Sequence, residues 1–232
     1  MNTRPVAADP ESLARLYPPI SSPNWLVLRA RREIFRRWLR ALSRPYMLVL
    51  DVGGRLQPYR PLIVAEKLTY IAIDLRSSPL VDVIADARRL PFPDERFDLI
   101  LCTQVMEYVA NPSQVMAEFH RLLKPGGCLL ASLPAIYPPD SETDAWRYLP
   151  AGIRHLTSAF ASVEIAAEGN SVIGMFRTLA VWIDWFARWR WVRKCLGYTI
   201  VPAINSTAVV LDGLIRTKND AMTANFSVLA KK

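Results

Sequence analysis

The sequence is poor in residues that hold metal ions. It contains three cysteines and two histidines in 232 residues. Cys102, Cys128 and Cys195 are odd in number and widely spaced, which matches no zinc-binding pattern and suits a reducing compartment. With only His120 and His155 available in addition, we expect no metal site. The expected location is cytoplasmic.

Long uninterrupted hydrophobic runs are also missing. No stretch reaches the roughly 18 consecutive apolar residues that a membrane span needs. The least charged stretch, Cys195 to Leu211, is interrupted by Pro202. Residues Met1 to Ser12 carry two acidic side chains and no apolar core of the kind that a secretory signal has. We therefore expect neither a membrane-spanning helix nor a secretory signal.

Charge is unevenly distributed along a chain whose composition is otherwise globular. Hydrophobic residues make up 51%, enough for a sizeable core. The net charge is +6 over residues 1–45, −4 over 46–173 and +6 over 174–232. The sequence thus predicts a mildly acidic central domain with basic flanks. Six of the seven tryptophans are also in these flanks: Trp25, Trp38, Trp182, Trp185, Trp189 and Trp191.

Three short apolar runs in the central region each end in an acidic residue. The first is Val49 to Gly54 and contains Asp51, the second ends at Asp74, and the third ends at Asp86. Parallel α/β sheets bind nucleosides at the carboxyl ends of their strands. Glycines after the first strand allow close approach of the backbone, and a carboxylate after the second can accept hydrogen bonds from both ribose hydroxyls. The pattern predicts an adenosine site.

The glycine loop excludes a nicotinamide-binding domain. That class needs G-x-G-x-x-G at the start of the first helix. The loop here reads Gly-Gly-Arg-Leu-Gln over residues 53–57. A different adenosine cofactor is therefore expected.

Three further segments follow in a fixed order. They are L-P-F-P-D-x-x-F-D over residues 90–98, Q-V-M-E-Y-V over 104–109 and L-L-K-P-G-G over 122–127. Together with the acidic strand ends they resemble a class I S-adenosylmethionine-dependent methyltransferase of the broad type-11 kind, over roughly Met47 to Glu168. The resemblance implies S-adenosylmethionine as cofactor and a Rossmann-like α/β fold, with a seven-stranded, mostly parallel sheet and helices on both faces.

The resemblance also implies which residues bind the cofactor. Gly53 and Gly54 form the loop at the methionine portion, and Asp51 orders that loop. Asp74, followed by Leu75, binds the ribose, and Asp86 with Ala87 lies at the adenine. Gln104, after the fourth strand, lines the cofactor cleft. No catalytic residue is assigned.

The loop departs from the family pattern, which is D-x-G-x-G-x-G. This chain keeps Asp51 and Gly53 but has Arg55 and Gln57 where glycines are usual. These two side chains could crowd the methionine portion. One interpretation is an intact cofactor site with an altered loop, and the other is a catalytically degenerate domain that serves as an interaction module. The three intact acids favour the first.

Hydrophobic periodicity divides the chain into three parts. Residues 1–45 form a basic arm and helix, the helix running from Asn24 to Ser43. The resemblance implies that the last two strands form a hairpin with the seventh antiparallel. Residues 46–171 and 223–232 are then the methyltransferase core, and residues 172–222 a helical, Trp-rich insertion. The predicted strands are Leu48–Val52, Tyr70–Asp74, Val81–Ala85, Phe97–Cys102, Cys128–Leu133, Ser162–Ala167 and Asn225–Ala230.

The acceptor is predicted less sharply. Methyl transfer from a sulfonium needs positioning more than acid–base groups, and a general base is required only for a hydroxyl acceptor. Residues 146–152 resemble a family branch linked with envelope and polysaccharide biosynthesis. This favours O-methylation of a small-molecule, lipid-linked or glycan acceptor. Candidate bases over the cleft are Tyr108, Tyr137, Asp140 and His155, none of which is preferred.

The basic, tryptophan-rich flanks leave three interpretations open. Tryptophan together with basic side chains suits an anionic membrane surface. The same aromatics could pack as a lid or between two subunits. A role in binding nucleic acid would use the same charges on phosphates, but no recognition module is apparent, so it is the least favoured. The oligomeric state is left open.

Overall fold

The computed structural model describes residues 10–187 and 189–232. Within them, seven strands form one sheet in the order β3-β2-β1-β4-β5-β7-β6. The predicted fold class is confirmed, and each predicted strand is present. The strands are β1 Tyr46–Val52, β2 Lys67–Asp74, β3 Val83–Ile84, β4 Phe97–Thr103, β5 Leu123–Pro134, β6 Ser162–Ala167 and β7 Asn225–Lys231.

Strand direction follows the predicted pattern. β1 is parallel to β2 and β4, and β4 is parallel to β5. β7 lies between β5 and β6 and is antiparallel to both. The carboxyl ends of β1 to β5 therefore meet at one edge of the sheet, which is where α/β folds bind ligands.

β3 is shorter than the predicted Val81–Ala85. It pairs with β2 only through Val83 and Ile84. The Asp82 backbone N–H still donates to the Ala72 carbonyl oxygen at 2.9 Å. The Ala72 N–H, however, donates to the Asp82 carboxylate at 2.9 Å, so a side chain takes one hydrogen bond of the ladder there. β3 is thus a short edge strand.

Six helices surround the sheet within the described residues. The predicted insertion between β6 and β7 consists of two of them, α5 and α6. The division of the chain into three parts stays a prediction. The helices are α1 Pro10–Leu16, α2 Trp25–Ala41, α3 Pro112–Leu122, α4 Pro150–Leu156, α5 Ser171–Phe186 and α6 Arg190–Ile215.

The basic N-terminal helix packs on one face of the sheet. Phe35, Trp38 and Leu39 of α2 are buried against Leu99 and Leu130 of the central strands. Neighbouring residues on these strands point to the opposite face, as the period of two requires, and pack against α3. The predicted helix is confirmed. Residues 1–9 of the predicted arm that precedes it lie outside the described part of the chain.

α6 differs from the sequence-based expectation. Among the described residues, Trp191–Ile215 is long and apolar enough to cross a membrane by length and composition alone, with a mean hydropathy of 1.4. The expectation counted consecutive apolar residues, and Pro202 interrupts that count. An average over the helix is little affected by one such residue. α6 contacts the rest of the protein on one side, where Asn205 is buried and its Nδ2 donates to the Ile20 and Ser22 carbonyl oxygens at 2.7 and 3.1 Å. Only 17% of its apolar stretch is buried.

Candidate functional site

A cleft of about 990 Å³ opens at the carboxyl ends of the strands. Most of the predicted cofactor residues line it, and they come from four different strand ends. Asp51 and Gly54 do not line the cleft and lie behind its wall. The predicted residues in the lining are Gly53, Asp74, Leu75, Asp86, Ala87 and Gln104.

The glycine loop after β1 is tightly held against β2. The Gly53 and Gly54 N–H groups both donate to the Ile73 carbonyl oxygen, at 2.9 and 3.0 Å. Gly53 has φ +76°, and a Cβ there would lie 2.4 Å from Val105 Cγ2. Only glycine combines this conformation with this close approach. The loop thus leaves free the space in the cleft that a cofactor would use.

Asp51 supports this loop from inside the protein. It is buried, and the Tyr70 hydroxyl donates to its Oδ2 at 2.6 Å. Burial raises the pKa of Asp51 to about 7, although the Tyr70 hydrogen bond acts in the opposite direction. The position agrees with the predicted role in ordering the loop rather than contacting the reacting group.

Gln57 does not crowd the cleft, contrary to the sequence-based expectation. It takes the left-handed conformation, φ +50°, that a glycine would adopt. Its side chain is buried outside the cleft lining, where Nε2 donates to the Leu80 carbonyl oxygen at 2.7 Å and Oε1 accepts from Arg60 at 2.9 Å. These hydrogen bonds stabilise a backbone conformation that is otherwise unfavourable for a side chain.

Arg55 does lie at the cofactor site. Its Nε is 3.5 Å from Asp74 Oδ2, while Asp74 Oδ1 accepts the Arg76 backbone N–H at 2.9 Å. The Arg55 side chain is about half exposed, at 48%. An exposed ion pair of this kind contributes only about 0.2–1 kcal/mol. Arg55 therefore competes weakly for the predicted ribose acceptor and does not close the site.

Replacing Arg55 with alanine will strengthen S-adenosylmethionine binding only slightly. Because the ion pair to be displaced is worth at most about 1 kcal/mol, the dissociation constant should fall by no more than about fivefold. Calorimetric titration of both proteins measures this. A gain of a hundredfold or more would mean that Arg55 blocks the site, as the degenerate-domain interpretation requires.

Asp86 is at the end of β3 and forms a local ion pair. Arg88 Nη2 lies 2.6 Å from Asp86 Oδ2, and the Arg88 backbone N–H donates to Oδ1 at 2.9 Å. The hydrogen bond from the Arg88 side chain lowers the pKa of Asp86. Ala87, beside it, is buried. Asp86 is thus held as an acceptor at the end of the cleft that the adenine is predicted to occupy.

Gln104 lines the cleft at the end of β4, between the predicted cofactor residues and the other half of the cleft. It has φ +54° at the end of β4, where non-glycine residues are strained. Its backbone N–H and its Nε2 both donate to the Ser132 carbonyl oxygen of β5, at 3.1 and 3.2 Å. The strain and the two hydrogen bonds fix the side chain at the cleft wall.

The other half of the cleft contains most of the candidate bases. Tyr108, Tyr137 and Asp140 line it, and the Tyr108 hydroxyl donates to Asp140 Oδ2 at 2.7 Å. His155 is absent from the lining. His120 packs edge-on against Phe160. Among the described residues, no group of three or more metal-ligating side chains is arranged to hold a metal ion.

Glu107 is a cleft residue that the sequence reasoning missed. It lines the cleft at 4% exposure, and its Oε2 has no hydrogen-bond partner. Burial raises the pKa of Glu107 to about 7. Its position inside the Q-V-M-E-Y-V segment, directly before Tyr108, was the signal that could have pointed to it.

A buried polar network also escaped prediction. Arg31 of α2 forms a bidentate ion pair with Glu168, which is fully buried, with N–O distances of 2.9 Å. Glu168 also accepts hydrogen bonds from Ser132, Asn225 and Ser227. Arg31 and Asn225 line the cleft, so this network forms its inner wall. Arg31 is one of many arginines in a basic helix, so nothing in the sequence indicated that it is buried.

The sheet order, the antiparallel seventh strand and the cleft at the strand ends define a class I S-adenosylmethionine-dependent methyltransferase fold. Residues 60–131 match the family described as "Methyltransferase domain". In this segment and in its fold the chain is similar to class I methyltransferases, as the motifs predicted, and S-adenosylmethionine is the cofactor of this class. The space at Gly53 and the carboxylate of Asp74 fit that cofactor.

Individual relatives agree with this assignment. A ubiquinone/menaquinone biosynthesis C-methyltransferase from Vibrio vulnificus is 34% identical over 128 residues, covering 46% of this chain and 49% of the relative. The chain thus spans about half the length of that protein. A S-adenosylmethionine-dependent methyltransferase structure from Archaeoglobus fulgidus aligns with a TM-score of 0.53 and 14% identity, over 87% of this chain and 94% of the other.

A further solved structure contains the cofactor. It is phosphoethanolamine N-methyltransferase 2 from Haemonchus contortus in complex with S-adenosylmethionine. It aligns with a TM-score of 0.51 and 14% identity, over 95% of this chain and 60% of the other. At this identity the two structures show the fold alone.

Proposed function

We propose that this protein transfers a methyl group from S-adenosylmethionine to a hydroxyl group of a small-molecule, lipid-linked or glycan acceptor. The observation that carries the proposal is the position of Asp74. Its side chain is 15% exposed at the end of β2, and it faces the same cleft as the Gly53 loop. A degenerate interaction module would have no need to keep both features. The degenerate interpretation was based on the altered loop. In that loop the Gln57 side chain is turned away from the cleft, and Arg55 is held only by a weak ion pair.

The residues of the cleft would act by binding and positioning. Asp74 would accept the ribose hydroxyls, and the Gly53 loop would let the backbone approach the methionine portion. The cofactor supplies an activated methyl group, so the protein needs to align the acceptor and exclude water. At about 990 Å³ the cleft is at the upper end of the range for small-molecule sites, which leaves room for an acceptor beside the cofactor.

Glu107 is the group that supports a hydroxyl acceptor. A general base works best when its pKa is near the working pH. Glu107 has a pKa of about 7, lines the cleft and has one oxygen without a partner. We assign it the role of taking the hydroxyl proton as the oxygen attacks the methyl group. Tyr108 is a poorer candidate, because burial and its hydrogen bond to Asp140 raise its pKa.

The proposed function is tested by cofactor binding and turnover in one preparation. Calorimetry with S-adenosylmethionine and with S-adenosylhomocysteine should give micromolar dissociation constants. Incubation with radiolabelled S-adenosylmethionine and a total extract of lipids and glycans should then transfer label to the extract. A folded protein that binds neither compound would contradict the proposal, and label on a carbon or nitrogen atom would contradict the hydroxyl assignment.

The partner surface that we propose is an anionic membrane. Five large aromatic residues are exposed where α5 ends and α6 begins, and we name them the aromatic turn. Trp189 and Trp191 are exposed at 62% and 65%, and their rings stack with centroids 6.1 Å apart. Exposed patches of this kind mark interaction sites. The aromatic turn consists of Trp182, Trp185, Phe186, Trp189 and Trp191.

Charge near the aromatic turn favours a membrane over a protein partner. Arg193 and Lys194 are exposed one turn into α6. Arg193 Nε lies 3.4 Å from Asp184 Oδ1, which offsets part of its charge, so Lys194 is the main cation here. Tryptophan rings lie at the headgroup level of bilayers, and each basic residue near an anionic surface adds about 1 kcal/mol. Arg188, which the sequence places in the same basic flank, lies outside the described residues. A surface contact of this type would bring the cleft close to lipid-linked acceptors.

Sedimentation with vesicles tests the membrane proposal. Vesicles containing phosphatidylglycerol should bind the protein, whereas pure phosphatidylcholine vesicles should bind it at least about tenfold less, and salt should weaken the binding. Exchanging both Trp185 and Trp189 for serine should remove most of the binding, because the rings supply the apolar contact. The matched control, Tyr46→Ser, changes an exposed aromatic residue at the opposite edge of the sheet.

Two results would contradict the membrane proposal. One is equal binding to neutral and anionic vesicles, or binding to neither. The other is a dimer in light scattering that both tryptophan exchanges disrupt, since the aromatic turn would then be a subunit interface.

A further inference from the structure

A buried cation without an acidic partner lies in the acceptor half of the cleft. Arg177 of α5 is 3% exposed and lines the cleft. Its Nε and Nη2 donate to Asn24 Oδ1 at 3.2 and 2.8 Å, and its Nη1 donates to the Ile136 carbonyl oxygen at 3.4 Å. The guanidinium carbon lies 4.2 Å from the centroid of the Tyr137 ring. All these contacts are neutral.

The nearby buried arginine does not share this property. Arg31 is neutralised by Glu168, whereas Arg177 takes part in none of the ion pairs formed by the described residues. Burial, together with the positive charge of Arg31, lowers the pKa of Arg177 to about 10, although Tyr137 and the more distant Glu168 carboxylate act in the opposite direction. Arg177 therefore stays protonated at neutral pH. A buried charge without a counter-charge is unfavourable. An anion that entered the cleft would remove this cost.

The remaining hydrogen-bond donors of Arg177 match a bidentate ligand. An arginine side chain has five N–H groups. Asn24 and Ile136 take three of them, one on each nitrogen. At most one N–H is then left on each terminal nitrogen, and the Tyr137 side chain also interacts with the guanidinium. Such a pair of donors binds a carboxylate or phosphate through two parallel hydrogen bonds.

Asn24 is used to hold this guanidinium rather than to cap a helix. It occupies the N-cap position of α2, but its side chain accepts no hydrogen bond from the helix backbone. Loss of a cap costs stability, so its diversion to Arg177 indicates that the position of the guanidinium matters.

The position of Arg177 separates it from the cofactor end. Ile136 and Tyr137 follow β5, which lies two strands from β1, or about 10 Å at the usual strand spacing. The glycine loop follows β1, and the ribose and adenine residues follow β2 and β3, farther away still. The aromatic turn, by contrast, begins on the same helix, with Trp185 about 12 Å along the axis from Arg177.

We propose that Arg177 binds an anionic group of the acceptor, a phosphate or a carboxylate, and that this anchors the acceptor with its hydroxyl toward Glu107. This inference rests on the proposed methyltransferase function. It narrows the acceptor to an acidic molecule, whether membrane-linked or soluble. The same chemistry is present in the methionine carboxylate of the cofactor, and the experiment separates the two sources.

The test is the binding of small anions to the protein saturated with S-adenosylhomocysteine. Inorganic pyrophosphate and acetate represent the two anion types, and at least one should bind in calorimetry. Arg177→Met should weaken that binding by about tenfold or more, with the affinity for S-adenosylhomocysteine unchanged. In the absence of anions the variant should melt no lower than the wild-type protein, because an unpaired buried charge has been removed. Arg15→Met, which removes an exposed arginine paired with Glu11 in the same cleft lining, should leave anion binding unchanged.

Three results would overturn the inference. If neither pyrophosphate nor acetate binds, the cleft is not an anion site. A loss of S-adenosylhomocysteine affinity in Arg177→Met would assign the guanidinium to the cofactor carboxylate. A strong drop in melting temperature, with anion binding retained, would make Arg177 a structural residue. Failure of S-adenosylhomocysteine itself to bind the wild-type protein would instead contradict the methyltransferase proposal.

Discussion

Replacing Asp74 with alanine will reduce the affinity for S-adenosylmethionine by roughly a hundredfold to ten-thousandfold. The variant loses two hydrogen bonds to a charged acceptor, each worth about 1.5–3 kcal/mol. The fold should persist, because within the protein the Asp74 carboxylate accepts only the Arg76 backbone N–H and pairs weakly with Arg55. The melting temperature should fall by no more than a few degrees, as about 1 kcal/mol would predict for a chain of this size.

A matched control is available on the same strand. Glu66 is an exposed acid directly before β2, at the end of the strand opposite to Asp74. Glu66→Ala removes the same charge, so cofactor affinity should stay within about twofold of the wild-type value if the ribose site is at the carboxyl end. Asp74→Ala binding S-adenosylmethionine as tightly as Glu66→Ala would show that the ribose is held elsewhere.

Replacing Glu107 with glutamine will lower the rate of methyl transfer by roughly a hundredfold to ten-thousandfold, the usual contribution of a general base. The wild-type rate should rise with pH and level off above about pH 7, because only the ionised carboxylate takes a proton. The variant should lose this dependence while keeping cofactor affinity. The measurement is the pH profile of label transfer to the extract that supports wild-type turnover. The control, Asp140→Asn, removes the partner of Tyr108 and should keep the pH dependence.

The same ionisation can be followed without an acceptor. The pKa of Glu107 is raised in the folded state, so its contribution to stability is complete below the ordinary carboxyl pKa of about 4 and is lost as the pH rises through about 7. The Gln variant should lose less stability than the wild-type protein over this range. A carboxyl band that titrates near pH 7 in infrared difference spectra should also disappear. A variant that turns over within threefold of wild type would exclude Glu107 as the base.

The sheet could be predicted because its signals are local. Each strand is a short, largely apolar run, the first three runs end in an acid, and the resemblance supplied the strand order. The antiparallel strand Asn225–Lys231 was also predicted from an apolar run together with the strand order that the resemblance implies. The predicted cofactor residues lie at one cleft for a related reason: parallel strands bring their carboxyl ends to one edge. The length of β3 was overestimated because the Asp82 side chain takes one hydrogen bond of the ladder, which periodicity does not show.

The acceptor half of the cleft could not be predicted from local patterns. It is assembled from positions far apart in the sequence, as the hydrogen bonds from Arg177 to Asn24 and from Arg31 to Glu168 show. Arginines on a basic helix or in an insertion normally face solvent, so the burial of Arg31 and Arg177 could not be expected from the sequence. Glu107 was hidden in the same way, because its burial depends on the segment around Ala145 that covers it.

The place of β7 between β5 and β6 has a consequence for the order of folding. β6 pairs with no strand other than β7 in the described sheet, so it stays unpaired until the chain from Ala167 to Asn225 has brought β7 back. Contacts between α5 and α6, which bury Ala180 against Val201 and Ile204, are local and draw the ends of this long connection together before the strands meet. A cavity made in the contact between the two helices would then slow the completion of the sheet, and the molecule would pass more slowly through a state in which β6 is unpaired and β5 is an exposed edge. The helical insertion would act on the speed of folding as well as on the surface it presents.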